Sequence, residues 1–166
     1  MAVVLLTKSF SADEYARALS SWRWLGVEGK TPVLSSLFGD LFLQDAAGYW
    51  FLDTLEGSLT LEWRTRDEVQ AALDSEEGQD NYLMGAFAAN RAEAGMILGP
   101  SDVYAFQVAP RLGGPIDLSN VTVMPFVVIM HILGQVHQQL DGLPPGALVY
   151  GFDVDDVGNV SLRRTP

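Results

Sequence analysis

Few side chains in this sequence are equipped for covalent or acid–base chemistry, and their spacing limits what they could do. Histidine occurs twice, at His131 and His137. Six residues apart on a helix, the two rings point about 120° away from each other, so they cannot share a metal ion as an i, i+4 pair would. His131 lies among "VVIM" and "ILG", the surroundings of a core or groove histidine and not of a base. "DVDDVGNV", from Asp153, begins like a calcium loop, with Asp153 and Asp155 at the first and third positions and Gly158 at the sixth. Its fifth position is Val157, and the twelfth, where a bidentate glutamate belongs, is Arg164, so it reads as a hairpin turn. The absence of cysteine removes thiol catalysis, disulfides and cysteine-ligated metal together. Neither a phosphate-binding glycine loop nor a G-x-S-x-G elbow occurs. Asp40 and Asp53 remain as a pair for acid–base work, but nothing in their spacing makes them converge. The expectation is a protein with no catalytic activity, no cofactor and no metal.

The elements that must position these residues are legible from local signals. Ser11 and Glu14, then Thr65 and Glu68, are two capping boxes, in which each side chain satisfies the other residue's free backbone amide. The first starts a helix running to about Trp22, with Phe10 and Tyr15 at the staple positions. The second starts "RDEVQAALD". "AVVLL" near the N-terminus reads as a short strand, and Pro32 as the opening of a helical turn, "PVLSSLF". From Phe38 to Trp63 the chain alternates strands with acidic, glycine-bearing turns. "DLFLQ", "YWFLDT" and "SLTLEW" form an antiparallel meander, with Leu59, Leu61 and Trp63 on one face of the last strand. Asp45 with Gly48, and Glu56 with Gly57, stand where turns require them. "DSEEGQDN" reads as an exposed acidic link before a helix, "YLMGAFAANRAEAG", that Gly95 ends. "VYAFQV" is a strand and "APRLGGP" a loop. A long helix begins in the first turn at Pro125, ends near Leu140 and is buried against a sheet. "ALVYGFDV" and "NVSLRR" close the chain as a hairpin over 147–164. The order is that of one α+β domain over 1–166, an antiparallel meander sheet packed against helices.

The 166 residues carry a formal net charge of -11, and 48% of them are hydrophobic. That composition is globular, and such a surface repels a phosphate backbone, which argues against direct nucleic-acid binding and for a basic partner. No segment reads as a membrane anchor or leader: "MAVVLL" lacks a basic flank, and the uncharged run from Val121 to Leu140 is interrupted by Pro125, two histidines and three glutamines. A cytoplasmic location is the expectation.

"FGDLF", "YWFLDTLEG", "EGQD" and "GQVH", in that order, together with "NVTVMPFVVIMHIL", make the chain resemble the C-terminal domain of type VI secretion immunity proteins paired with DNase effectors. The resemblance spans about residues 22–140. A fainter likeness, in "FGDLF" and "YWFLD", reaches toward the broader Smi1/Knr4-like class, which supplies many toxin immunity proteins. Many members of the first family carry a separate N-terminal domain related to GAD. Only about twenty residues precede the matching region, so that domain is expected to be absent. The resemblance implies a stoichiometric inhibitor that binds a basic nuclease toxin. Candidate partner-binding residues are Asp74, Glu76, Glu77 and Asp80, with Trp50 and Trp63 as aromatic anchors. Two alternatives stay open: a regulatory interaction domain with no toxin partner, and a small hydrolase using Asp40, Asp53 or His131.

Overall fold

A computed structural model describes residues 5–165. Its centre is a five-stranded antiparallel sheet in sequential order: β1 (Thr7–Lys8), β2 (Thr31–Ser36), β3 (Leu41–Asp45), β4 (Gly48–Asp53) and β5 (Ser58–Trp63). The expected meander is thus present, extended by two strands. "PVLSSLF" is not a helical turn: its first five residues belong to β2, and Leu37 and Phe38 enter the turn after it. Pairing of residues 31–36 with β1 on one side and β3 on the other outweighs the local helix-start signal of Pro32, which sits beside a bulge. Of the expected "AVVLL" strand, residues 2–4 lie outside the described residues. Leu5 and Leu6 are not in a strand.

Both faces of the sheet are covered. On one, Leu41, Leu43 and Leu52 pack with Tyr15, Ala18 and Trp22 from α1 (Ala12–Leu19) and the 3-10 segment Ser20–Leu25, and with Phe126, Ile129 and Met130 from α5 (Phe126–Asp141). On the other, Phe42, Phe51 and Trp63 pack with Val69 of α2 (Arg66–Asp74) and Leu83 of α3 (Glu76–Leu83). Leu59 and Leu61 share a face as expected, but Trp63 does not. One extra residue, Glu62, is accommodated where Trp50 pairs with Leu61 and Tyr49 with Trp63, and this bulge turns Trp63 to the opposite side. A third cluster joins Leu37 and Phe38 to Ala88 of α4 (Gly85–Glu93), Tyr104 of β6 (Asp102–Phe106) and Val121 of β7 (Val121–Pro125).

Both capping boxes form. Ser11 Oγ accepts from Glu14 N at 3.2 Å while Ser11 N donates to the Glu14 carboxylate at 2.9 Å. Thr65 and Glu68 repeat the exchange at 3.3 and 3.2 Å. Phe10 meets Tyr15 edge-on, 5.8 Å between ring centres, as the staple requires. The acidic link at 74–81 is not an exposed turn: Asp74 ends α2, and from Glu76 the chain is helical again, capped by Ser75, whose hydroxyl accepts from Gly78 N at 3.0 Å. Met84, left-handed at φ 48°, then separates α3 from α4 where one helix was expected. The long helix is buried against the sheet as expected, but Pro125 precedes it as the last residue of β7, a strand hidden in the apolar run. Gly134 lets the Ser20–Leu25 segment lie directly on this helix, because a Cβ there would collide with the Ser21 carbonyl. The Trp22 and Trp24 indole N–H groups donate to the Met130 and Gly134 carbonyls at 3.0 and 3.2 Å.

The closing hairpin, β8 (Val149–Val154) and β9 (Val160–Arg164), is held by two glutamines one turn apart on α5. Gln135 accepts from Val160 N and donates to Gly158 O, at 3.0 and 2.9 Å. Gln139 accepts from Leu162 N and donates to Val160 O, at 3.2 and 2.7 Å. The two amides serve the β9 edge as a neighbouring strand would.

Candidate functional site

Two regions bring candidate residues together. The first is an acidic surface on α2 and α3. Asp74 ends α2, Glu76 and Glu77 occupy the first turn of α3, and Asp80 follows one turn later; all four are exposed. Negative charge is well placed in that first turn, where the helix dipole and free N–H groups favour it. Asp80 accepts from Ala86 N at 3.2 Å and so serves the start of α4, while Asp74 accepts from Gln70 at 2.9 Å. Asp74, Glu76 and Asp80 line one open depression with Gln79; Glu77 lies outside its lining. None of the four joins an ion pair among the described residues.

The two tryptophans differ. Trp50 is half-buried on β4; its indole donates to Asp45 at 2.8 Å, and Lys30 lies 4.2 Å over its ring and 3.3 Å from Asp45. The indole hydrogen bond holds the Asp45 carboxyl below its usual range. Trp63 is a core residue, 8% exposed, stacked on Phe42 and set edge-on to Tyr82. The bulge at Glu62 turns it into the core, where the sequence suggested an exposed aromatic anchor.

The second region is a buried polar cluster that the spacing did not reveal. Asp40, in the β2–β3 turn, is 5% exposed and accepts three hydrogen bonds: from Thr54 N at 2.8 Å, the Thr54 hydroxyl at 2.7 Å and the Ser36 hydroxyl at 3.0 Å. Burial first, and the charge of Asp53 second, push its carboxyl up to about 6, against the pull of these donors. Thr54 turns its carbonyl to His137 Nε2 at 2.7 Å. His137 is 1% exposed, burial lowers its pKa, and its Nδ1 has no partner among the described residues. Gly57, at φ 73°, lies flat against the His137 ring, which leaves no room there for a Cβ. Asp53 is spent on its own turn, accepting from Leu55 N and Glu56 N at 2.9 and 3.0 Å.

Three of the four stretches that carry the family resemblance, "FGDLF", "YWFLDTLEG" and "GQVH", therefore meet at one point through Asp40, Thr54, Gly57 and His137. The fourth, "EGQD", contributes Glu77 and Asp80 to the acidic surface. For the hydrolase alternative, Asp40 and Asp53 lie near each other, but His131 does not join them. It lines a separate groove with Arg17, Val128 and Val154. His137 takes the place beside the carboxylates instead. The only local sign of the cluster was the "DTLEG" turn; contact with a helix eighty residues later leaves no mark in the spacing.

Among the described residues no helix is long and apolar enough to cross a membrane, and no three His, Cys, Asp or Glu side chains are grouped to hold a metal ion. No protein-family model and no curated protein matches the chain. Among solved structures the chain is similar to the crystal structure of Atu4351 from Agrobacterium tumefaciens, at 14% identity and a TM-score of 0.48, over 92% of this chain and 70% of that one. A likeness that distant bears on neither activity nor partner.

Proposed function

We propose that this protein is an immunity protein that binds a basic nuclease toxin of the type VI secretion class one to one and blocks its DNA groove. The reading joins the family resemblance to one observation, the exposed acidic surface at Asp74, Glu76, Glu77 and Asp80 with no internal cation to neutralise it. A nuclease is basic where it grips DNA, and carboxylates fixed on two short helices can meet those cations without reorganising. The chain's net charge of -11 supports fast, steered encounter with such a surface. Inhibition then needs no catalytic group.

Association kinetics against the product of the reading frame adjacent to this gene test the reading, which requires that product to be a nuclease. Raising salt slows association more than it speeds dissociation, because exposed charges are screened beyond about 8–10 Å at physiological ionic strength. The double reversal Glu76→Lys, Glu77→Lys slows association in the same way and leaves the fold intact, since both side chains are exposed. Association unchanged by the reversal and insensitive to salt would contradict the assignment of this surface.

A further inference from the structure

The cluster at Asp40 carries an electrostatic imbalance. A buried carboxylate is normally paired with a cation. Asp40 meets three neutral donors and no cation among the described residues, and Asp53 adds a second negative charge nearby. The Arg111 guanidinium, close enough to be felt by His137, is exposed and donates to the Glu56 carbonyl at 3.1 Å. Oδ2 of Asp40 accepts only from Ser36, which leaves it a free lone pair.

Asp40 also opens onto space. With Thr54 and His137 it contributes the polar part of a narrow cleft of about 40 Å³. The walls are apolar: Phe38, Leu55 and Phe106, with Ala109 and Met84 also lining it. About 10–15 Å³ of such space admits one water-sized group, so the cleft takes a chain end of two or three heavy atoms. A planar guanidinium has four heavy atoms before its stem begins, whereas an ammonium has one and fits with one or two methylenes behind it. The polar floor asks for a positive hydrogen-bond donor, and the walls ask for methylenes.

We propose that the cleft at Asp40 is a subsite for a primary ammonium group on an apolar stem, the end of a lysine side chain presented by a protein partner. The ammonium donates to Asp40 Oδ2 and supplies the missing counter-charge, while the stem lies between Phe38, Leu55 and Phe106. The lysine source rests on the basic-partner reading above; the ammonium site itself does not. The groups that face Asp40 are Ser36 from β2, Asp53 and Thr54 from β4 and its turn, and, through Thr54, His137 from α5. The ammonium binds the ionised carboxyl, so affinity for it is about tenfold weaker at pH 5 than at pH 8 for a carboxyl that titrates near 6.

The test is an NMR titration of the full chain, reading the Asp40 carboxyl carbon and the His137 ring. The probes are n-butylammonium, n-butylguanidinium and n-butanol. The expected result is saturable binding of n-butylammonium at pH 8, weakened about tenfold at pH 5, with the other two probes weaker at both. Asp40→Asn abolishes it. Because that variant disturbs a buried network, Ala109→Leu serves as a second: it fills the cleft from its wall, abolishes binding and leaves the remaining amide spectrum in place. No saturable shift at pH 8, an equal response to n-butanol, or binding that survives both variants would overturn the site. Against a cognate toxin, Ala109→Leu is expected to weaken binding at least tenfold. Equal toxin affinity in wild type and Ala109→Leu overturns the lysine assignment and leaves toxin binding standing. Ammonium binding by a chain that binds no toxin upholds the subsite and removes the toxin reading instead.

Discussion

Replacing Asp40 with asparagine changes how stability depends on pH, by an amount the buried cluster sets. In the folded chain the Asp40 carboxyl titrates near 6, against an ordinary value of 3.8. A group with a raised folded-state pKa binds its proton more tightly when folded, so its stabilising contribution is complete below 3.8 and lost as pH rises through 6. At about 1.4 kcal/mol per pH unit the whole difference is about 3 kcal/mol, of which about 2 kcal/mol falls between pH 4 and pH 8. Asparagine cannot ionise, so that part of the pH dependence disappears. It also cannot satisfy all three donors. Its oxygen can take both Thr54 bonds, but its amide then faces the Ser36 hydroxyl, whose oxygen already accepts from Phe38 N and Asp40 N at 3.1 Å each. A buried donor left without an acceptor costs about 1–3 kcal/mol at every pH. Wild type and Asp40→Asn are therefore expected to be close in stability at pH 8, with wild type gaining about 2 kcal/mol relative to the variant as pH falls to 4. Lowering of the His137 pKa destabilises both proteins as pH falls below 6.5 and cancels in the comparison. Urea unfolding followed by fluorescence of the four tryptophans measures the difference. Parallel stability profiles between pH 4 and pH 8 would refute the buried, cation-free placement of Asp40.

Gly57→Ala is expected to cost about 2–5 kcal/mol, from about 1–2 kcal/mol for a left-handed alanine and the remainder from overlap with the His137 ring. In a His137→Ala background only the first part remains, a non-additivity that a double-mutant cycle reads directly. The pair Gln135→Ala, Gln139→Ala releases four hydrogen bonds to the β9 edge. Amide exchange at Val160 and Leu162 is expected to accelerate many-fold while the five-stranded sheet keeps its protection, because the hairpin forms a two-stranded sheet of its own that packs on α5 and on the segment Pro110–Leu112.

What the sequence revealed and what it concealed divide by the range of the interaction. The capping boxes at Ser11 and Thr65, the three-strand meander and the closing hairpin rest on contacts within a few residues, and each formed as expected. The strand at 31–36 was hidden because its evidence lies in partners on either side, while Pro32 gave a local signal of the wrong kind. β7 carried its own trace in the alternation of Val121 and Val123, masked by the apolar helix that follows. Helix α3 also had a visible start: Ser75 followed by Glu76 and Glu77 is a cap with an acidic first turn. Trp63 was misplaced by a single-residue bulge that alternation cannot register. Asp74, Glu76, Glu77 and Asp80 were named from their charge; all four are exposed, and Asp74, Glu76 and Asp80 line one depression. The Asp40–Thr54–His137 cluster joins β2–β3, β4–β5 and α5, and only the assembled core brings those three together.

The most direct test is an inhibition titration of a cognate nuclease toxin, which the proposal requires the adjacent reading frame to encode, with purified wild-type protein added in fractions of an equivalent at a toxin concentration well above the dissociation constant. DNA cleavage is expected to fall linearly and to reach zero at one molar equivalent. Full cleavage at several equivalents, or inhibition by much less than one equivalent, would contradict one-to-one blockade of the toxin.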